Sequence, residues 1–377
     1  MAIKLVVSDF HLSRGRWLAD GRRNPLEDFH QDERFREFLD FYSSGEYAQV
    51  DVELVINGDF FDPLAVIPTD LSTRAARKAL EFPLEVEEEP AVLKFREIIA
   101  GHPVAFEALR EFLKRGKRIR FRWGNHDVAI LWPKVQALLR ETLGHPARVV
   151  FELERYVFDR ICIDHGHQFE TLNHFDEQNI FITRSTPEGP KRIQNLPFGS
   201  FFVLGFLNRL KLERHYINQV QPFRIYLRLA SLMEPWFFWR NGFRVAWFFV
   251  KMRLITHPMR FARIRKTLLL LKEALHRPSL EAEAEKLFFG PEGRDLPFDT
   301  LILGHDHQAK VRAFPGGKTY MNTGTWTPIT SLDMATLGHR VLRTYALIEG
   351  VTEKGDGRAR ATLKVWHGRP SVTDDFS

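Results

Sequence analysis

The stretch Val55-Ile56-Asn57-Gly58-Asp59-Phe60-Phe61-Asp62 begins as an apolar strand and ends in polar side chains. The apolar run over residues 52–56 is typical of a buried strand in a parallel sheet. Gly58 lets the backbone turn sharply, so the Asp59 carboxylate follows directly after the carboxyl end of the strand. Binding sites of open α/β sheets are built at this edge. A single Asp after a strand is more often a turn or cap residue, so the other strand ends decide its role.

Composition indicates a globular protein and excludes several classes. The 377 residues are 44% hydrophobic and 27% charged, which is ordinary for a folded domain or two. The single cysteine, Cys162, excludes a disulfide framework and a cysteine-based zinc site. The N-terminal apolar run is too short for a signal peptide, and no run reaches the length of a spanning helix. We therefore expect a cytoplasmic protein.

The net charge of +6 is unevenly distributed along the chain. Residues 191–266 contain 15 Lys and Arg against two acids, Glu213 and Glu234, so this segment carries +13 and the remainder −7. A basic segment within an otherwise acidic chain indicates a local role in binding an anionic partner.

Five apolar strands end in Asp, Asn or His. The endings are Asp9-Phe10-His11, Gly58-Asp59 with Asp62, Gly124-Asn125-His126-Asp127, His165-Gly166-His167 and Gly304-His305-Asp306-His307. One or two such endings are ordinary in a chain of this length, but five are not. Carboxylate, amide and imidazole ligands without a thiolate suit Mn²⁺, iron or Zn²⁺, and abundant imidazole suits Mg²⁺ or Ca²⁺ poorly. Mn²⁺ is our preferred metal.

The rest of the chain is predicted from hydrophobic periodicity. We expect helices at 31–42, 91–100, 104–115 and 133–143, strands at 3–8, 52–56, 118–123, 148–153, 155–158, 160–164, 300–303, 310–313, 319–322, 341–349 and 361–366, and a polar hairpin loop at 352–360. Residues 63–90 are predicted to be a solvated surface excursion, and the tail after Pro370 to be frayed. Residues 171–297 do not continue the alternation of strands and helices. They contain long aromatic and basic stretches that are predicted to be helical.

In order and in spacing within each block, these endings resemble the calcineurin-like metallophosphoesterase superfamily. The resemblance implies a four-layer α/β/β/α sandwich and two divalent metal ions. By position, it assigns Asp9, His11, Asp59 and His307 to one metal, and Asp59, Asn125, His165 and His305 to the second. Asp59 is then the carboxylate that both metals share.

The same resemblance implies the roles of the neighbouring residues. Asn125 and His126 would contact the phosphate, and His126 would protonate the leaving oxygen. Asp127 would orient the His126 ring, and Asp62 would hold a ligand side chain in place.

Four further features are expected to be structural or, for three single residues, to support a ligand side chain without taking part in the chemistry. Asp164, His167 and Asp306 match no ligand position of the superfamily pattern. The segment Asn322-Thr323-Gly324-Thr325-Trp326 resembles a recurrent superfamily segment, and we interpret it as a tight turn followed by a core Trp.

Residues 171–297 are interpreted as a helical cap inserted into a catalytic domain of residues 1–170 and 298–377. In the implied fold the insertion leaves after His165 and returns before His305, so it would cover the metal site. Runs such as Pro235–Trp239 contain more apolar residues than one helix face holds, so we expect some apolar surface to be left for a partner. Aromatic residues interleaved with Arg and Lys suit a membrane surface with anionic headgroups.

The placement of the insertion resembles UDP-2,3-diacylglucosamine hydrolases, a family whose helical insertion holds acyl chains. That family commonly has Arg where this chain has His126, and its insertion is shorter than the 127 residues found here. The prediction is hydrolysis of a phosphodiester or diphosphate bond in a lipid-linked or otherwise amphipathic substrate, at the inner membrane face. A nuclease or nucleotide phosphodiesterase that uses the basic aromatic segment is the alternative. A non-catalytic phosphate-binding scaffold is the third.

Overall fold

The computed structural model describes residues 2–67, 86–186, 189–251, 279–290, 293, 295–334 and 337–368. Its described helices are α1 (Asp32–Phe41), α2 (Glu88–Gly101), α3 (Pro103–Lys114), α4 (Pro133–Leu143), α5 (Phe198–Phe202), α6 (Asn208–Glu213), α7 (Phe223–Met233), α8 (Pro235–Lys251) and α9 (Leu280–Phe289). A π-helical turn, Val203–Leu207, joins α5 to α6. Among these helices, none combines the length and apolar character needed to cross a bilayer.

The described strands form two large sheets and two small ones. They are β1 (Ala2–Val7), β2 (Asp51–Asn57), β3 (Arg118–Arg122), β4 (Val149–Glu152), β5 (Tyr156–Phe158), β6 (Ile161–Ile163), β7 (Phe181–Thr186), β8 (Gly189–Gln194), β9 (Val220–Gln221), β10 (Thr300–Leu303), β11 (Lys310–Ala313), β12 (Thr319–Asn322), β13 (Ile329–Ser331), β14 (Gly338–Arg340), β15 (Thr344–Val351) and β16 (Arg360–Val365). The chain therefore has a mixed α/β fold, as the sequence predicts.

The first large sheet has the strand order β16-β15-β1-β2-β3-β4. Strands β1 to β4 run parallel, and β15 and β16 add an antiparallel hairpin at the β1 edge. Alternate side chains of β1 and β2, such as Leu5 and Leu54, belong to a core with the apolar faces of α1 to α4. Successive side chains of a strand point to opposite faces of the sheet, so the residues between these core side chains face the second sheet.

The second large sheet has the strand order β11-β12-β10-β6-β5, in which β12, β10 and β6 run parallel. Val6 and Val55 of the first sheet form one buried cluster with Ile163, Ile302 and Met321 of the second. The two sheets therefore pack against each other. The opposite side of the second sheet packs on α9.

Most elements predicted from periodicity are confirmed to within a few residues, but two regions differ. Residues 63–67 are buried and not solvated, and α2 already begins at Glu88; the middle of the predicted excursion, 68–85, lies outside the described residues. The 171–297 region is not wholly helical, because it contains the β7–β8 hairpin and β9. Residues 252–278 of this region and the tail after Pro370 also lie outside the described residues.

Buried polar contacts attach α6, which belongs to the 171–297 region, to the rest of the protein. Lys211 of α6 forms a buried ion pair of 2.7 Å with Asp28, and Asn208 donates a 2.7 Å hydrogen bond to the carbonyl oxygen of Leu64. Burial alone would raise the pKa of Asp28, but the Lys211 ammonium lowers it below its ordinary value. Because a buried ion pair is costly to break, these contacts fix α6 beside the segments that follow β1 and β2.

Candidate metal centre

Five strands from the two large sheets end beside one another at the candidate site. Asp9 and His11 follow β1, Asp59 and Asp62 follow β2, Asn125 to Asp127 follow β3, His165 follows β6, and His305 and His307 follow β10. Because parallel strands present their carboxyl ends at one edge, both sheets deliver polar side chains to the same place. The structure thus brings together residues almost 300 positions apart.

The backbone at these positions is unusual. Asp9, His11, Asp59, His305 and His307 have φ angles of 56°, 55°, 51°, 74° and 62°, in the left-handed region that residues other than glycine rarely occupy. Elsewhere in the described chain, only Asp159 and Arg160 share this feature among non-glycine residues. Such conformations cost about 1–3 kcal/mol each and cluster at functional sites, where the surrounding structure holds them.

The first group of metal-binding side chains consists of Asp9, His11 and His307, whose ligand atoms lie within 4.8 Å of one another. The Nε2 atoms of His11 and His307 are 3.0 Å apart, and His307 Nε2 lies 3.4 Å from Asp9 Oδ1. The other Asp9 oxygen accepts a 2.9 Å hydrogen bond from the His305 backbone N–H. The contact orients the Asp9 carboxylate and joins the β1 and β10 loops.

The second group consists of Asp59, His165 and His305. His165 Nε2 lies 3.3 Å from Asp59 Oδ2, and Asp59 Oδ1 accepts a 2.8 Å hydrogen bond from the His126 backbone N–H. His165 Nδ1 is 2.8 Å from the carbonyl oxygen of Asn57, which places the ring proton on Nδ1 and leaves the Nε2 lone pair facing the site. Asp59 lies in this second group only, so its sharing by two metals remains a prediction.

Two glycines allow the loops to approach this closely. A Cβ atom on Gly58, which has a φ of 80°, would lie 2.5 Å from His165 Nδ1. A Cβ atom on Gly124 would collide with the Asp59 carboxylate and lie 2.8 Å from His165 Nε2. The glycines that end β2 and β3 in sequence therefore make room for the second group.

Several inward-facing polar atoms have no hydrogen-bond partner among the described residues. They are Asp9 Oδ1, Asn125 Oδ1, His165 Nε2 and His305 Nδ1, and all are buried. Asp9 Oδ1 and His165 Nε2 nevertheless lie 3.4 Å from His307 Nε2 and 3.3 Å from Asp59 Oδ2, without the geometry of a hydrogen bond. Unpaired buried polar atoms are costly, so a set that converges on one place calls for an explanation. Carboxylate, amide and imidazole atoms in this arrangement fit divalent cations of the Mn²⁺, iron or Zn²⁺ type.

A third group joins His11 to Asp62 and His126. One Asp62 oxygen lies 3.1 Å from His126 Nδ1, and the other lies 3.7 Å from His11 Nδ1. Burial works against a charged His126, but the carboxylates of Asp62 and Asp59 raise its pKa to about 9. Asp62 therefore lies between the ring of a predicted ligand, His11, and the ring of His126.

The sequence prediction that Asp127 orients the His126 ring is wrong. Asp127 instead accepts hydrogen bonds from the backbone N–H groups of Gly124, Phe60 and Phe61, at 2.7, 3.0 and 3.3 Å. Its carboxylate thus fixes the β2 loop against the β3 loop. Burial raises its pKa to about 7, and the nearby Asp59 carboxylate adds to the shift. Asp62 takes the orienting position that sequence assigned to Asp127.

Two of the residues expected to be structural are enclosed by other parts of the protein. Asp164 is held between Arg122 and Arg155, at 2.7 and 2.9 Å. The His167 ring is buried against Trp123 and Phe175, and burial holds its pKa well below the ordinary value. Both contacts support the structural interpretation.

The third such residue and the 322–326 segment make local contacts. Asp306 accepts a 2.9 Å hydrogen bond from the backbone N–H of Gln308. Trp326 is fully buried and stacks on Phe10, with ring centroids 4.9 Å apart. Thr325 donates a hydrogen bond to the carbonyl oxygen of Asp9, so this segment also supports the β1 loop.

Glu170 is a site residue that the sequence does not reveal. Its carboxylate lies 3.1 Å from His305 Nε2, on the ring edge opposite the unpartnered Nδ1. A single Glu outside every strand ending carries no pattern that would single it out. Its position indicates that it orients the His305 ring, as carboxylates commonly do for metal-binding histidines.

No protein-family model matches the chain, and no curated protein matches its sequence. Among solved structures, the chain is similar to a dimetal phosphatase from Danio rerio, with 10% sequence identity and a TM-score of 0.33. The match covers 97% of this chain and 98% of that one. A likeness at this level supports no particular activity, which has to be argued from the site.

Proposed function

We propose that this protein is a metal-dependent hydrolase of phosphodiester or diphosphate bonds that uses two divalent cations. The observation that supports this best is the convergence of two ligand groups, Asp9-His11-His307 and Asp59-His165-His305, with unpartnered buried atoms facing inward. His305 donates its backbone N–H to Asp9, so the two groups adjoin. An adjacent pair of cation sites is the arrangement that phosphoryl-transfer hydrolases use.

The proposed ligands follow the order of the strands. Asp9, His11, His307 and Asp59 would hold one cation, and Asp59, Asn125, His165 and His305 the other. When bound, such a pair supplies Lewis acidity toward phosphate oxygens and lowers the pKa of coordinated water. Mn²⁺ is the preferred cation, with iron and Zn²⁺ as the alternatives.

The chain's own residues bind the phosphate and move the proton. The His126 side chain is 17% exposed, and its Nδ1 faces Asp62. Its Nε2 is therefore the atom free to give a proton to the leaving oxygen. Asp62 keeps the ring in this orientation, and Asn125 and His126 contact the phosphate. Asp127 holds the loop after β2 against the loop after β3.

The proposed architecture is a four-layer α/β/β/α sandwich, with residues 1–170 and 298–377 as the catalytic domain and residues 171–297 as a cap. The buried cluster between the sheets and the packing of α9 on the second sheet support the layers. The 3.3 Å hydrogen bond from Ser200 to the carbonyl oxygen of Asn125 supports the cap, because it attaches α5 beside a proposed ligand.

An amphipathic substrate is favoured by the surroundings of His126. A cavity of about 20 Å³ beside it is lined mainly by apolar residues of both parts of the chain, including Leu64, Val128, Leu196 and Leu204, with Lys94 and Gln194 as further polar lining. That volume holds about one water molecule, so the walls would have to separate to admit an acyl chain. We propose a lipid-linked diphosphate, such as UDP-2,3-diacylglucosamine, as the substrate class.

The test is hydrolysis by the purified protein with added Mn²⁺, using a bis-aryl phosphate, UDP-2,3-diacylglucosamine and single-stranded DNA as substrates. We expect turnover of the first two, and we expect His126→Ala to abolish it while two cations per chain stay bound. His339→Ala, which removes an exposed histidine from β14, is the matched control.

Different failures have different meanings. Absence of turnover with Mn²⁺, Fe²⁺, Zn²⁺ and Co²⁺ would contradict the proposed activity and, if phosphate still binds, would favour the scaffold. Hydrolysis of DNA with steep salt dependence, and none of the lipid, would assign the nuclease alternative.

A further inference from the structure

Helix α8 presents apolar side chains on two opposite faces. One face turns inward, and its residues Phe237, Phe238, Asn241, Val245 and Phe248 are buried or half-buried. The other face turns outward: Trp236, Trp239, Phe243, Trp247 and Val250 are 78%, 70%, 74%, 55% and 41% exposed. Their spacing of three and four residues places the second set on one stripe of the helix. We call this set the outer stripe.

The end of α7 enlarges this apolar surface. Leu232 and Met233, directly before α8, are each 78% exposed. At about 250 Å² for a whole Trp side chain, the three tryptophans of the outer stripe alone expose roughly 500 Å². That equals the largest apolar patch of a typical monomer, so the full surface indicates a binding site. None of the described residues covers it.

The charge of the region determines which partner fits. Residues 191–266 carry a net charge of +13, and the two acidic residues of this segment, Glu213 and Glu234, already form ion pairs within it. Glu213 pairs with Arg240 and Arg244, and Glu234 pairs with Arg214. A second copy of the chain would bring the same positive charge to the interface, whereas an anionic surface would be attracted.

Between anionic surfaces, the side-chain types favour lipid over nucleic acid. Nucleic-acid bases stack on aromatic rings, but Leu232, Met233 and Val250 have no aromatic ring. Apolar side chains with interspersed Trp and Phe are the composition of helices that lie in a membrane interface. We propose that the outer stripe, with Leu232 and Met233, docks the protein on a membrane surface that contains anionic lipid.

Docking through α8 would place the candidate metal centre close to the lipid. The inward Phe248 of α8 contacts Phe202 of α5, with ring centroids 6.0 Å apart. Ser200 of the same short helix donates to the carbonyl oxygen of Asn125. The surface proposal does not depend on the proposed activity, because a protein without turnover could still bind vesicles in this way.

The test is co-sedimentation of the full chain with phosphatidylcholine vesicles, with and without phosphatidylglycerol. We expect binding to the anionic vesicles, a blue shift of Trp fluorescence, and weaker binding at high salt. Trp239→Ser and Phe243→Ser should each lower the partition coefficient roughly tenfold or more, because each removes a large apolar contact. Trp17→Ser removes a 60% exposed Trp outside α7 and α8 and is the matched control.

Several outcomes would overturn the proposal. They are no binding to either vesicle by the unsubstituted chain, equal binding by Trp239→Ser with an unchanged melting temperature, or displacement of vesicles by single-stranded DNA. A dimer in light scattering that becomes a monomer on Trp239→Ser would assign the outer stripe to a second copy. Turnover of a small soluble phosphodiester should be the same in Trp239→Ser and in the unsubstituted chain, which separates docking from chemistry.

Discussion

One Asp62 oxygen lies 3.1 Å from His126 Nδ1, while the second oxygen lies 3.7 Å from His11 Nδ1. A single buried carboxylate therefore holds both a proposed metal ligand and the proposed proton donor. The Asp62 carboxylate is itself fixed by a 3.1 Å hydrogen bond from the Ala65 backbone N–H. The relative positions of the two rings depend on this one side chain.

Asp62→Asn should lower kcat about 10- to 100-fold, because the amide removes the charge that orients the His126 ring while nearly preserving shape. We expect KM to change little and two cations per chain to stay bound in excess Mn²⁺, because Asp62 is not itself a proposed ligand. Steady-state kinetics and elemental analysis measure both. Asp20→Asn, at an exposed Asp that pairs with Arg22, is the matched control. An unchanged kcat would exclude Asp62 from the mechanism.

Glu170→Gln should weaken cation binding about 10- to 100-fold, since His305 loses the carboxylate that lies 3.1 Å from its Nε2. Titration calorimetry of the metal-free protein with Mn²⁺ measures this without reference to activity. Glu177→Gln removes an exposed carboxylate from the same region and should leave affinity unchanged. Equal affinities of the two variants would show that Glu170 does not position the ring.

Gly124→Ala should prevent the second ligand group from assembling, because the added Cβ collides with the Asp59 carboxylate. We expect loss of at least one cation per chain and a lower melting temperature. Gly242→Ala is a matched control, since α8 leaves open space around that glycine and Ala favours a helix by about 1 kcal/mol. Full metal content in Gly124→Ala would contradict the close approach of the β2 and β3 loops.

Folding stability should depend on pH through His102. Burial disfavours the charged ring, but Glu27 at 3.1 Å and Asp32 at 2.8 Å raise its pKa from 6.5 to about 9. Because the folded state holds the proton more tightly than the unfolded chain, the stabilisation is complete below pH 6.5 and is lost as pH rises through about 9. The contribution is on the order of 3 kcal/mol.

Urea unfolding of the natural chain and of His102→Gln measures this dependence. The difference in unfolding free energy between the two should be large below pH 6.5 and should shrink above about 9. A difference that stays constant across this range would show that the ring is not charged in the folded protein.

The sequence predicts the strand endings well, because an apolar run that stops at Asp, Asn or His can be recognised without tertiary information. The role of Asp127 could not be predicted, since its partners are backbone N–H groups that sequence does not distinguish. Glu170 approaches His305 only through tertiary folding. The β7–β8 hairpin was missed because its mixed basic and polar residues lack a clear alternating pattern.

The proposed ligands are far apart in the sequence, with Asp9 after β1 and His307 after β10. A nascent chain that ends before residue 300 contains the proposed carboxylate and amide ligands and the imidazoles of His11 and His165, but neither His305 nor His307. If these residues hold the proposed cations, complete capture of metal would have to wait until His307 has been translated. Metal uptake by nascent chains of increasing length would report when the two sheets come together.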